Sequence, residues 1–136
     1  MTAGRLDLAA LLLVAAGAAI AGYLTWTYAA GVAPVCATGG CAEVQSSDYA
    51  TLAAIPVALL GLVHYVLVGA LVLLRQHAAA AALAVAGVLF AAYLLVVQVW
   101  VIEALCSWCL ANDAVAALLA AVLVLRVSGR GPARAA

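Results

Sequence analysis

Charged residues are scarce in this chain. Only 7% of its 136 residues are charged, whereas a soluble domain has about 25%. Apolar residue types make up 71% of the sequence, against roughly 45–50% in soluble domains. Five basic and five acidic side chains cannot cover the surface of a cytosolic enzyme or a nucleic-acid-binding protein. A disordered chain is also excluded, because disordered chains are polar. The sequence therefore predicts an integral membrane protein.

Four apolar stretches are long enough to cross a bilayer, which takes about 20 helical residues. The first is predicted to be retained, because its apolar run far exceeds the roughly 7–15 residues of a cleaved signal. The predicted fold class is an all-α integral membrane protein, with a single domain over residues 1–136 that forms a four-transmembrane-helix bundle. We expect helices over about 8–28, 55–74, 78–102 and 106–126, with residues 29–54 forming an extracytoplasmic loop.

All the basic residues fall on one side of this arrangement. The N-terminus, the turn at 75–77 and the C-terminus share that side, and short loops rich in Lys or Arg mark the cytoplasmic face. Both termini are therefore predicted to be cytoplasmic, in a multi-pass protein of the inner (cytoplasmic) membrane. The basic residues are Arg5, Arg75, Arg126, Arg130 and Arg134.

The four cysteines fall on the opposite, extracytoplasmic side. Cys36 and Cys41 lie in the first outer loop, and Cys106 and Cys109 open the fourth helix. Disulfides form and persist outside the cytoplasm, and C-x-x-C is a spacing associated with redox pairs. Four cysteines allow three pairings. The sequence leaves open a pairing of 36 with 41 and 106 with 109, a link between Cys41 and Cys106, and two static disulfides that only brace the loops.

The second cysteine pair is predicted to lie at the outer membrane boundary. Residues 114–125 form only about 18 Å of helix, which is too short for a hydrocarbon layer of roughly 30 Å. The turn with Cys106 and Cys109 must therefore lie in or just below that boundary, where a redox pair can meet a lipid-soluble partner. The helix N-terminus also favours a thiolate there. The layout predicts a relay from soluble thiols, through a flexible glycine-containing loop, to the membrane.

These features together resemble the bacterial members of the vitamin K epoxide reductase family. The resemblance covers most of the chain, with local matches at 41–47 (CAEVQSS), 55–61 (IPVALLG) and 106–109 (CSWC). It implies an enzyme that forms disulfide bonds with a quinone, menaquinone or ubiquinone, as electron acceptor and without a metal. It also implies that Cys36 exchanges with a partner protein and that Cys41 attacks Cys106. Cys109 would then face the quinone.

Three further residues are candidates for binding or supporting the quinone. Ser47 is similar to the family's loop serine, and Trp108 lies within C-x-x-C. Asp113 shares a helix face with the cysteine pair and is an ionisable group in a membrane helix; an interfacial carboxylate is its alternative. Asp113 also stands where the animal enzymes have a tyrosine, which favours quinone reduction over epoxide reduction. His64 is expected to be a buried imidazole that hydrogen-bonds a neighbouring helix.

Many bacterial relatives carry a fused thioredoxin-like domain, and this chain ends at Ala136 without one. The resemblance therefore implies a separate extracytoplasmic thioredoxin-like (DsbA-like) partner, alongside the membrane quinone and the lipid bilayer. The runner-up hypothesis is a mercuric or copper transporter that uses the four cysteines as soft thiolate ligands. Against it, no cysteine reaches the cytoplasmic half of the chain to receive an ion. A purely structural membrane protein is the third alternative.

Overall fold

The computed structural model describes residues 2–129 and consists mainly of helices. Three of them are long and apolar enough to cross a membrane, and the fourth is apolar but shorter. At 17 residues, this shorter helix is at the lower end of the roughly 17–25 residues that span a bilayer. The prediction of a helical membrane protein is thereby confirmed. The four long helices are α1 (Ala3–Ala30), α3 (Val57–Leu73), α4 (His77–Val96) and α5 (Ser107–Ser128).

The outer loop contains local structure of its own. A short helix, α2 (Cys41–Ser46), is followed by a 3-10 turn at Asp48–Ala50. Two short antiparallel strands, β1 (Thr51–Leu52) and β2 (Ile55–Pro56), then lead into α3. α2 places Cys41 and Val44 on its buried side, so this part of the loop packs against the bundle.

The ends of the long helices follow from local chemistry. Thr2 caps α1 by accepting a hydrogen bond from the Arg5 amide, and α1 ends at Gly31, whose φ of +67° suits a residue without a Cβ. α4 continues into a π-helical turn at Val97–Ile102, which stops at Glu103 in the left-handed conformation. This stop leaves only a short connection before α5.

Small residues let the helices approach closely. The ring of Tyr65 lies directly over Gly17, where a Cβ atom would overlap the ring. The bundle core is built on alanines and a few larger apolar side chains, so the alanine-rich sequence serves packing. Its buried members are Ala10, Ala21, Tyr65, Val68, Val72, Ala80, Ala81, Ala84, Leu119, Ala120 and Leu123.

A buried polar cluster joins three helices at one end of the bundle. Asp7 of α1 accepts hydrogen bonds from Arg126 of α5, at 2.8 Å from Nε and 3.4 Å from Nη2. The Nε2 atom of His77, the first residue of α4, lies 3.1 Å from Asp7 Oδ1. This cluster brings the start of α1, the start of α4 and the end of α5 together. Arg130 and Arg134, two of the five basic residues that predict the orientation, lie outside the described residues.

Asp7→Asn is expected to destabilise the protein, because it leaves the buried Arg126 guanidinium without its counter-charge. Breaking a fully buried ion pair from one side costs about 3 kcal/mol or more; because the Asp7 side chain is 25% exposed, the expected loss here is smaller, about 1–2 kcal/mol. Thermal unfolding in detergent measures the loss, with Asp48→Asn as the matched control because Asp48 is exposed in the outer loop. Equal unfolding temperatures for the two variants would contradict a stabilising role for the cluster.

Candidate redox site

The four cysteines come together at the end of the bundle opposite Asp7 and Arg126. Cys36 and Cys41, the loop pair, form a disulfide bond, whereas Cys106 and Cys109, the helix pair, are free thiols. Cys41 and Cys106 are fully buried and share one apolar cluster, which the other two cysteines border. The fold thus brings together pairs that are far apart in the sequence.

The loop pair has one accessible and one inaccessible member. Cys36 is partly exposed, while Cys41 begins α2 and is completely buried. The glycines between them have separate structural roles: Gly39 has a φ of +78°, and a Cβ atom on Gly40 would collide with the backbone of Leu105. A thiol from outside can therefore reach Cys36 but not Cys41.

Cys106 is positioned by hydrogen bonds from both sides. It caps α5, and its Sγ accepts from the Cys109 amide at 3.2 Å and from the Cys109 thiol at 2.6 Å. The thiol hydrogen bond from Cys109 lowers the pKa of Cys106 below its ordinary value, against the opposing effect of burial. The Cys106 amide in turn donates to Gln98 Oε1 at 3.0 Å.

Gln98 was not identified from the sequence. Its side chain is buried in the π-helical turn and satisfies the amide of Cys106. An amide side chain within an apolar span needs a hydrogen-bond partner, and that signal was available in the sequence.

The first turn of α5 also contacts the outer loop through hydrogen bonds and ring packing. The Trp108 indole donates to the carbonyl of Val35, and the Tyr23 hydroxyl accepts from the Val35 amide at 3.1 Å. The Tyr23 and Trp108 rings pack with their centroids 4.8 Å apart. The structure therefore places Trp108 against the segment before Cys36, where it supports the loop.

A cavity of about 310 Å³ opens beside the helix pair, with Cys109 in its wall. Its walls are mostly apolar and come from α1, α3, α4 and α5, and the outer loop covers one side. The Gln45 amide of α2 donates to Cys109 Sγ at 3.7 Å. The polar residues that line the cavity are Gln45, Ser47, Tyr49, His64, Tyr65, Gln98, Asn112 and Asp113.

The predicted site residues have different surroundings in this cavity. Ser47 donates its hydroxyl to the Val44 carbonyl at 2.7 Å. Asp113 has a buried Oδ2 atom without a hydrogen-bond partner among residues 2–129. His64 is half-buried in the cavity wall, and within the described chain it makes no hydrogen bond to a neighbouring helix. The expectation of a buried, bonded imidazole is therefore wrong: the ring is packed over Gly87 of α4, which has no side chain to accept a bond.

Within residues 2–129, no group of three or more His, Cys, Asp or Glu side chains is arranged to hold a metal ion. Cys36 and Cys41 are joined in a disulfide, so in this state they are not the free thiolates that a soft metal prefers as ligands. The described residues therefore give the transporter hypothesis no support.

Fold and site together define a membrane-embedded thiol–disulfide oxidoreductase. The family model described as "Vitamin K epoxide reductase family" matches residues 8–125, nearly the whole chain. The protein therefore belongs to the vitamin K epoxide reductase family, whose members are in general quinone-linked. Comparison with individually curated proteins gives no match.

Cys106 is expected to ionise at a lower pH than an ordinary cysteine. With the loop pair as a disulfide, the ultraviolet thiolate absorbance should rise with a midpoint below the ordinary cysteine value of 9.0, because the Cys109 thiol stabilises the Cys106 anion. Cys109→Ala removes this donor, so the midpoint should move upward toward that ordinary value. Cys106→Ala is the control that should abolish the rise at lower pH. An unchanged midpoint in Cys109→Ala would contradict the assigned cause.

Proposed function

We propose that this protein is a quinone-dependent oxidoreductase that forms disulfide bonds. Electrons pass from a separate extracytoplasmic thioredoxin-like protein to the loop pair, then to the helix pair, and finally to a membrane quinone. The observation that carries this proposal is the single cluster of four cysteines, with Cys41 and Cys106 at its buried centre. The other two cysteines face different surroundings: Cys36 is partly exposed at the surface, and Cys109 borders the cavity.

Entry occurs at Cys36. A partner thiolate attacks Cys36 Sγ, and Cys41 leaves as a thiolate; a second partner thiol then completes the reduction of the loop pair. The partial exposure of Cys36 and the complete burial of Cys41 support this order, because an external protein can approach only the sulfur of Cys36. The partner leaves with a disulfide bond and has lost two electrons.

Internal transfer is a thiol–disulfide exchange between the pairs. The Cys41 thiolate attacks Cys106 of the oxidised helix pair, a Cys41–Cys106 bond forms, and Cys109 leaves as a thiolate. Cys36 then attacks Cys41, which restores the loop disulfide and releases Cys106. Two electrons have moved inward, and the two protons lost by the loop thiols balance the two new helix thiolates. The pairing described above corresponds to the product of this exchange.

The cavity beside Cys109 suits a flat, lipid-soluble ring. Its volume of about 310 Å³ falls within the roughly 300–1,000 Å³ of small-molecule sites, and an apolar wall with few polar groups is typical of them. The apolar side chains would hold the ring, with Ser47, Asn112 and Asp113 at the polar part of the wall. Bound there, menaquinone or ubiquinone supplies an acceptor for two electrons and two protons. The carboxyl group of Asp113, which has an unpartnered oxygen, is the candidate proton donor in its protonated form.

The proposed location is the inner membrane, with both termini in the cytoplasm and the cysteine cluster on the outside. Arg5, Arg75 and Arg126 all belong to the end of the bundle that contains Asp7, and basic residues mark the cytoplasmic face. The proposed domain organisation is one membrane domain over residues 1–136, with four crossings. This orientation exposes Cys36 to the compartment in which disulfides persist.

Quinone should restore the helix disulfide in protein reduced with dithiothreitol. Membranes that contain the full-length protein are acid-quenched before and after quinone addition, and all four cysteines are mapped after thiol trapping. Cys109→Ala should abolish the response, because Cys106 then has no partner in the pair. Cys36→Ala should block oxidation of reduced thioredoxin and spare that of dithiothreitol, which is small enough to bypass the loop.

Two results would contradict the proposed function. Helix-pair cysteines that stay reduced in the presence of quinone would exclude electron transfer to it. If a soft metal ion alone then shielded the cysteines from alkylation, the transporter hypothesis would replace it. If Cys36→Ala lost activity equally with thioredoxin and with dithiothreitol, the loop pair would not be the specific entry point for a protein donor.

Asp113→Asn is expected to slow reoxidation of the helix pair by quinone about 10²-fold, which is the lower range for loss of a general acid. Exchange between the loop pair and the helix pair should continue, because Asp113 lines the cavity and not the loop. Stopped-flow oxidation with a short-chain ubiquinone measures the first rate, and Asp48→Asn is the exposed control. An unchanged rate would make Asp113 an interfacial carboxylate without a role in proton transfer.

A further inference from the structure

Ser107 is in contact with both sulfurs of the loop disulfide. It is the first residue of α5, directly after Cys106. Its Oγ atom lies 3.7 Å from Cys36 Sγ and 3.6 Å from Cys41 Sγ, and it accepts a hydrogen bond from the Ala37 amide at 3.3 Å. A hydroxyl that belongs to the helix pair's own motif is therefore directed at the other pair.

The direction of this hydrogen bond follows from the chemistry of the atoms. A disulfide sulfur has no hydrogen, so in its contacts with the loop pair Ser107 must be the donor. The Ala37 amide occupies an acceptor site of Oγ, which leaves the hydroxyl hydrogen free to point at sulfur. An anionic sulfur is a stronger acceptor than a disulfide sulfur, so this bond strengthens when the loop pair is reduced.

A second hydroxyl near the loop pair, that of Thr38, donates its hydrogen to a different acceptor. Thr38 Oγ1 lies 3.3 Å from Cys36 Sγ, but it donates its single hydrogen to the Leu105 carbonyl. The Cys41 amide donates to Cys36 Sγ at 3.2 Å, so Cys36 has a backbone donor. Among residues 2–129, the side chain hydrogen-bonded to Cys41 Sγ is Ser107.

Cys41 needs such a donor more than Cys36 does. A thiolate at Cys41 is completely buried, and an ion that loses water is costly unless it is hydrogen-bonded. Both steps of the proposed route pass through this anion. Cys41 leaves as a thiolate when a partner attacks Cys36, and it attacks as a thiolate when the electrons move to Cys106.

We propose that Ser107 is a catalytic residue of the internal exchange, in which its hydroxyl donates a hydrogen bond to the Cys41 thiolate. This inference rests on the proposed function and extends it. The donor stabilises Cys41 as the leaving group during entry and maintains its anionic form for attack on Cys106. The hydrogen bond transfers no electron and no proton, so the balance of the exchange is unchanged.

The first test uses the full-length protein in lipid nanodiscs, with reduced thioredoxin as donor and a short-chain ubiquinone as acceptor. Ser107→Ala should lower turnover about 3- to 10-fold at neutral pH. That range follows from a charge-assisted hydrogen bond, partly offset by the higher nucleophilicity of a more basic thiolate. The deficit should shrink at alkaline pH, because the Cys41 thiol then ionises without help.

Matched variants separate the hydrogen bond from loop positioning. Ser107→Thr retains the hydroxyl and should restore the wild-type pH profile, whereas Ser107→Gly should behave like Ser107→Ala. Ser46→Ala is the control, because Ser46 is exposed and donates to the Glu43 carbonyl within α2. A deficit of equal size at every pH would overturn the proposal, since only the placement of the loop would then have changed.

A second measurement does not depend on quinone or on a protein partner. In a Cys36→Ala, Cys106→Ala, Cys109→Ala background, Cys41 is the remaining cysteine of the four in the sequence, and its ionisation is followed by ultraviolet thiolate absorbance over a range of pH. Adding Ser107→Ala should move the midpoint upward by about one pH unit or more, the equivalent of one charge-assisted hydrogen bond. An unmoved midpoint would overturn the role of Ser107 even if the wild-type protein reduces quinone. Absence of quinone reduction with a moved midpoint would instead contradict the proposed function alone.

Discussion

The junction between the outer loop and the first turn of α5 is the interaction on which the redox site depends. Val35, Ala37 and Thr38 are hydrogen-bonded to Trp108, Ser107 and the Leu105 carbonyl, respectively. These bonds connect segments about seventy residues apart in the chain, and they bury Cys41 in the same cluster as Cys106. Without the junction, the loop disulfide and the helix thiols would be separate features of one membrane protein.

The bilayer explains why the chemistry lies at the ends of the helices. A membrane interior requires every backbone polar group to be satisfied within the protein, so the spans are helical, mainly apolar and packed through small residues. Helix caps and most irregular backbone lie toward the two ends, and polar side chains within the spans, such as His64 and Asp113, line the cavity. One end has the Asp7–His77–Arg126 cluster, which joins three helices. The other has a helix start at Cys106, whose sulfur the Cys109 amide and thiol hold by hydrogen bonds.

The candidate site was partly predictable from local patterns. Cysteine spacing identified both cysteine pairs, and an acidic residue in an apolar span pointed to Asp113 as a candidate. Gln98 carried a similar signal, as an amide side chain in an apolar span, but nothing in the sequence shows that it bonds the Cys106 amide. Ser107 gave no comparable signal, because its contacts are with residues about seventy positions away in the sequence. His64 was expected to bond a neighbouring helix, yet it faces Gly87 in the cavity wall. Spacing along one helix shows which residues share a face; it does not show what that face meets.

Hydropathy and short motifs were sufficient to predict the membrane environment, the helical architecture and the family, because both are local properties of the chain. The cysteine pairing stayed open among three possibilities until the fold brought Cys36 and Cys41 together. The burial of Cys41 and Cys106 in one cluster, the cavity beside Cys109 and the contact of Ser107 with the loop sulfurs became visible in the folded protein alone. Each of these depends on how α1, α3, α4 and α5 pack and on where the outer loop folds back. Long-range packing is the sum of many weak contacts, and local patterns do not specify that sum.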